Sequence, residues 1–80
     1  MTSDTAGRLE QCFTTVFPNL DRRRVRLAAA ETVEGWDSVA HVTLLTLIAE
    51  EFGIDLPIEE FLEALSFPAI LDRLLPLVSV

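Results

Sequence analysis

Few residues in this chain could do chemistry. It holds one His, His41, and one Cys, Cys12. One imidazole cannot assemble a His-rich metal site, and one thiol excludes an intramolecular disulfide or a multi-Cys zinc site. Ser38 stands three residues before His41, a spacing at which two side chains can touch on one helix. That is the beginning of a serine–histidine hydrolase, but no third member, oxyanion hole or substrate pocket accompanies it. Gly35-Trp36-Asp37-Ser38-Val39 also lacks the second Gly of a nucleophile elbow. The three Gly are scattered, so no Gly-rich loop cradles a phosphate. What remains is Ser38 itself, directly after Asp37. If a helix starts there, its first turn has unpaired N–H groups and about half a positive charge. A phosphate esterified to Ser38 would then sit in a favourable field. The dipeptide alone reads first as an ordinary helix cap, since Ser and Asp are common there.

The elements that would position Ser38 follow from the punctuation and the apolar spacing. The chain has 80 residues, enough for a single domain over residues 1–80. A chain this short buries only about 60% of its unfolded surface, which disfavours a large enzyme with a deep pocket. Half of its residues are hydrophobic, so it can bury a core. Thirteen acidic side chains against six basic ones give a net charge of -7, which argues against nucleic acid. No apolar run approaches the roughly 20 residues that span a bilayer, and Met1-Thr2-Ser3-Asp4 opens no signal peptide. A cytoplasmic monomer is expected.

Leu9, Cys12, Phe13, Val16 and Phe17 fall at i, i+3, i+4, i+7 and i+8. This predicts a helix from about Ser3, capped by Ser3 or Asp4 and stopped by Pro18. Residues 19–37 form a long connection that calls for a helical turn within it, with Leu27, Val33 and Trp36 as anchors. Ser38 to Phe52 is the strongest helix, bounded by Asp37 as N-cap and Gly53 as C-terminal stop. A short helix is expected over Pro57 to Leu65, with Ile58, Phe61, Leu62 and Leu65 inward. A last one is expected from Ser66 to Leu75, with Ser66 as cap and Pro68 in its first turn. Its inner face would be Phe67, Ile70, Leu71, Leu74 and Leu75. Ile54, Leu56, Phe61, Leu62, Ile70, Leu71 and Leu74 are the expected core. No segment alternates like a strand, so the fold class is all-α.

Gly35-Trp36-Asp37-Ser38-Val39-Ala40-His41-Val42, followed by Ala49-Glu50-Glu51-Phe52-Gly53-Ile54-Asp55-Leu56-Pro57, resembles the acyl carrier protein family over essentially the whole chain. The resemblance implies a four-helix bundle with a long first loop and a short third helix. It implies that Ser38 carries 4′-phosphopantetheine through a phosphodiester, with Asp37 assisting recognition. The phosphoprotein would hold acyl groups as thioesters on that arm and catalyse nothing itself. Its implied partners are a phosphopantetheinyl transferase using coenzyme A and magnesium, an acyl-loading enzyme, and a downstream acyltransferase or synthase.

The family places acidic residues along the first turns of its second helix. Here those places hold Ala40, His41, Thr43 and Thr46, and acid returns at Glu50 and Glu51. The departure points away from the housekeeping fatty-acid carrier and towards a specialised pathway, polyketide and aminoacyl routes among them. Docking is expected around Val39, Val42 and Leu47, with Trp36, His41, Glu50 and Glu51 as further contacts. The alternatives are an aminoacyl or peptidyl carrier, or an arm-free interaction module of the same fold. Met1 at the start, and a bundle ending close to Val80, favour a stand-alone protein.

Other marked residues have plainer readings. His41 is expected to be a solvated helix residue. Cys12 is expected to be a buried, inert thiol. Trp36 either meets a partner or packs the loop onto the bundle. Arg22, Arg23, Arg24 and Arg26 read as a solvated basic loop. Glu59, Glu60 and Glu63 serve either solubility or a docking face shared with Glu50 and Glu51.

Overall fold

A computed structural model describes residues 4–78. The described chain is mostly helical, with four α-helices and no strand among the described residues. The all-α class is as expected.

Helix α1 spans Thr5–Val16. Asp4 caps it, its carboxylate accepting the Gly7 N–H at 2.9 Å. Ser3, the other capping candidate, lies outside the described residues. Leu9, Cys12 and Phe13 are buried along its inner stripe, and Phe17 closes the end. Helix α2 spans Ser38–Phe52, the range its caps predict. Gly53 ends it in the left-handed region, φ 62°, and the Ile54 N–H reaches back to the Ala49 carbonyl at 3.1 Å. Such a turn needs Gly because a Cβ is strained at positive φ. The core face of α2 is His41, Leu44, Leu45 and Ile48.

Phe13 is the hub between the helices. Its ring lies 5.1 Å from Phe67, 5.4 Å from Trp36 and 6.3 Å from Phe17, centroid to centroid. Arg8 ties α1 to the far end of α2. It pairs with Glu51 at 3.0 Å and lies over the Phe52 ring at 4.4 Å.

The long connection contains the expected turn, a 3-10 helix over Val25–Leu27. Its anchor is a correction, however. Leu27 is 78% exposed, whereas Val25 and Ala28 are buried. A 3-10 helix repeats every three residues, so positions 25 and 28 share the inner face and 27 turns outward. Beyond it the loop is clasped to the chain between the last two helices. Phe67 N–H donates to the Ala28 carbonyl at 2.9 Å and Ala30 N–H to the Leu65 carbonyl at 2.8 Å. These bonds satisfy backbone groups that a buried irregular segment would otherwise leave unpaired. Val33 is half-buried and Trp36 buried, as anchors should be.

Helix α3 is a single turn, Ile58–Phe61, rather than a helix to Leu65. Only Phe61 and Ala64 turn inward. Ile58, Leu62 and Leu65, expected inside, are 36%, 49% and 46% exposed. The clasp is the cause: Ala64 N–H bonds the Phe61 carbonyl, and Leu65 is then drawn into the clasp with Ala30. Helix α4 spans Phe67–Val78 and runs through Pro76 instead of stopping before it. Pro76 removes one bond near an exposed C-terminal end, where water can take the freed carbonyl. Ser66 caps α4 as predicted, accepting the Ala69 N–H at 3.2 Å. Leu75 is 44% exposed and Leu71 only half-buried, so the inner face narrows to Phe67, Ile70 and Leu74.

Candidate functional site

Ser38 is the first residue of α2 and is exposed. Asp37, not Ser38, caps the helix, its carboxylate accepting the Ala40 N–H at 2.8 Å. The serine hydroxyl is therefore not consumed as the cap. It stands at the positive end of a 15-residue helix dipole.

Beside Ser38 is a cleft of about 350 Å³. Trp36, Val42, Leu62, Leu65 and Ala30 line it, together with Asp37, Ser38 and His41. Two larger hollows, about 550 and 530 Å³, lie along the loop around Glu34 and Gly35 and do not include Ser38. The smaller cleft is the relevant one, because an exposed hydroxyl stands at its edge.

His41 corrects the expectation of a solvated residue. It is buried at 4% exposure, as is Trp36 at 6%. The Trp36 indole N–H donates to His41 Nδ1 at 3.1 Å, and His41 Nε2 lies 2.9 Å from the Phe61 carbonyl oxygen. The two rings stack with centroids 5.9 Å apart. Burial removes both side chains from a partner-facing surface; instead they form the inner wall of the cleft. His41 also cannot attack or deprotonate through a free nitrogen, since both of its nitrogens are engaged. This weakens the hydrolase reading of Ser38 and His41. Spacing could have shown the burial: His41, Leu44, Leu45 and Ile48 fall at i, i+3, i+4 and i+7, one helix face.

The expected docking residues separate into groups. Val39 and Val42 are 76% and 48% exposed and flank Ser38. Leu47 is half-buried and lies about 140° around the helix from Val42, at about 100° per residue. Glu50 is exposed, whereas Glu51 is turned into its ion pair with Arg8. The structure thus brings Val39 and Val42 to Ser38 and leaves Leu47, Glu50 and Glu51 away from it. Leu62, Leu65 and Ala30 complete the cleft instead.

Arg22, Arg23 and Arg24 are exposed as expected, while Arg26 pairs with Glu10 of α1. Cys12 is buried, and burial, aided by the Glu51 carboxylate, pushes its thiol up to about 11. No group of His, Cys, Asp or Glu among the described residues could hold a metal ion. No described helix is long and apolar enough to cross a membrane.

Comparison with family models, with curated proteins and with solved structures finds no match to this chain.

Proposed function

We propose that the chain is an acyl carrier protein, a four-helix carrier bearing 4′-phosphopantetheine on Ser38. The observation that carries this reading is an exposed serine, first in α2 and uncommitted as a cap, at the edge of an apolar cleft. The residues fit the group. A phosphodiester on Ser38 would project into solvent beside the positive end of α2, where a negative charge is favoured. The arm supplies a thiol for thioester formation. The chain's own part is to hold the attachment point rigid while the tether raises the local concentration of cargo at a docked enzyme.

The lining of the cleft favours an acyl over an aminoacyl cargo. Its Trp36 and His41 polar atoms are spent on each other and on Phe61, so it offers mainly apolar contact. Val39 and Val42 supply an uncharged surface for the transferase and the loading enzyme. In this reading the protein is a substrate carrier in a biosynthetic pathway and not an enzyme.

Intact mass spectrometry of wild type and Ser38→Ala, each incubated with coenzyme A, magnesium and a phosphopantetheinyl transferase, tests the assignment. Wild type gains one phosphopantetheine and Ser38→Ala gains none. The variant folds normally, since Asp37 retains the cap; its cost stays below about 1 kcal/mol. An adduct on the variant would remove Ser38 from the role.

A further inference from the structure

We propose that the Trp36–His41–Phe61 contact is an acid-released latch on the wall of the cleft beside Ser38. The inference rests on hydrogen-bond geometry alone and stands whether or not Ser38 carries an arm.

The contact fixes one protonation state. An indole N–H can only donate, so the nitrogen it meets, His41 Nδ1, is unprotonated. A carbonyl can only accept, so the proton lies on Nε2, facing Phe61. The imidazole is therefore neutral and in a single tautomer. It is also the one buried polar side chain in the core of the described residues. A second proton would place N–H against N–H at the Trp36 contact and leave a buried cation.

No carboxylate is hydrogen-bonded to the ring to hold that cation. The charged groups on the surrounding elements are Glu31, Glu34 and Asp37 of the loop, all three lining one hollow with Trp36, Glu59, Glu60 and Glu63 on or beside α3, Asp72 and Arg73 of α4, and Arg8 and Glu10 of α1. Asp37 keeps its charge while accepting the Ala40 N–H but makes no hydrogen bond to the ring; Glu31, Glu34, Glu59, Glu60, Glu63 and Asp72 are exposed, and Arg8 and Glu10 pair with Glu51 and Arg26. Arg73 donates to the Glu60 carbonyl, placing a positive charge one residue from the Phe61 carbonyl. From α1, Phe13 and Phe17 meet Trp36, and α2 contributes its own positive N-terminal end. Both of the His41 ring's hydrogen bonds go to Trp36 and Phe61.

Protonation therefore releases Trp36. The latch joins three separate segments: the loop through Trp36, α2 through His41, and α3 through Phe61. Trp36 and His41 also wall the cleft. Acid would loosen that wall while Phe13, Leu44, Leu45, Ile48 and Phe67 keep the rest of the core intact.

The chain has one His and one Trp, so both halves of the latch can be read without labelling ambiguity. NMR of the full chain from about pH 8 down to about pH 5 follows the His41 ring nitrogens and the Trp36 indole N–H. At the upper end Nδ1 reads unprotonated and Nε2 protonated. As the ring gains its proton, the indole N–H resonance moves in step. Its protection from hydrogen exchange, taken against the intrinsic rate at each pH, falls about tenfold, the worth of one buried hydrogen bond, while helix content by circular dichroism holds. His41→Gln supplies one acceptor and one donor without titrating, and its Trp36 signal stays flat over the same range. The proposal is overturned by an indole signal that stays still while His41 titrates, or by a ring that remains neutral throughout. It is equally overturned if His41→Gln shows the wild-type transition. If His41→Gln does not fold, the wild-type titration decides alone, by whether the two signals move together.

Discussion

Cys12 offers an unusually clean test of burial in this chain, through alkaline pH. A cysteine thiol ordinarily loses its proton near 9.0, but in the fold burial first, and the Glu51 carboxylate second, push it up to about 11. The sign follows from which state binds the proton. Between those two values the unfolded chain has lost its thiol proton while the folded chain keeps it, so rising pH favours unfolding. The stability is full below about 9 and is lost as pH rises through about 11. Each pH unit across that gap is worth about 1.4 kcal/mol, which sums to about 3 kcal/mol. A domain of 80 residues has a total stability of roughly 4–12 kcal/mol, so the loss is large. No other side chain confuses the reading. All six basic residues are Arg, which stays charged, and the chain has no Lys and no Tyr. Urea unfolding followed by the fluorescence of Trp36, at about pH 8.5 and about pH 11, measures the difference. Cys12→Ala should show a nearly flat profile across the same window. The reasoning is refuted if wild type loses no stability there, or if Cys12→Ala loses as much.

Phe13→Ala empties the hub between Trp36, Phe17 and Phe67 and should cost about 3–5 kcal/mol in urea denaturation, enough to leave the chain marginal. Asp37→Ala removes the cap that Ser38→Ala leaves in place, so it should lower stability by about 1 kcal/mol and exceed the serine variant in the same melt. Gly53→Ala forces a Cβ into the left-handed region and should cost about 1 kcal/mol, with helix content otherwise kept.

Helix α2 was legible because both of its ends are chemically marked, by Asp37 and by Gly53, and because the fifteen residues between them contain no Gly or Pro. α1 was legible from one apolar stripe. The loop was harder: its order comes from backbone bonds to Leu65 and Phe67, more than thirty residues away, which no local pattern encodes. The same clasp explains the misplaced leucines. Leu62 and Leu65 have helical spacing, but α3 stops after Phe61 because the chain is pulled into the clasp, and they turn out towards Ser38. The misjudgement of His41 has another source. Its spacing marks the core face, but its polarity suggested water, and only the partners Trp36 and Phe61 reconcile the two. Pro76 shows the limit of a stop signal near a chain end, where a missing hydrogen bond costs little. Ser38 was singled out by its type, its position and the resemblance of the segment around it; the cleft beside it was not, because its walls come from three separate stretches of chain.

The central claim is that Ser38 bears the arm, and fragmentation of the protein after loading tests it most directly. The protein is incubated with coenzyme A, magnesium and a phosphopantetheinyl transferase, digested, and each peptide sequenced by mass spectrometry. The account predicts a single phosphopantetheine, on the peptide containing Asp37-Ser38-Val39 and on the Ser38 oxygen. An adduct at another residue, or an unmodified chain beside a control carrier loaded in the same tube and again with its own cognate transferase, would contradict it and leave an arm-free helical module.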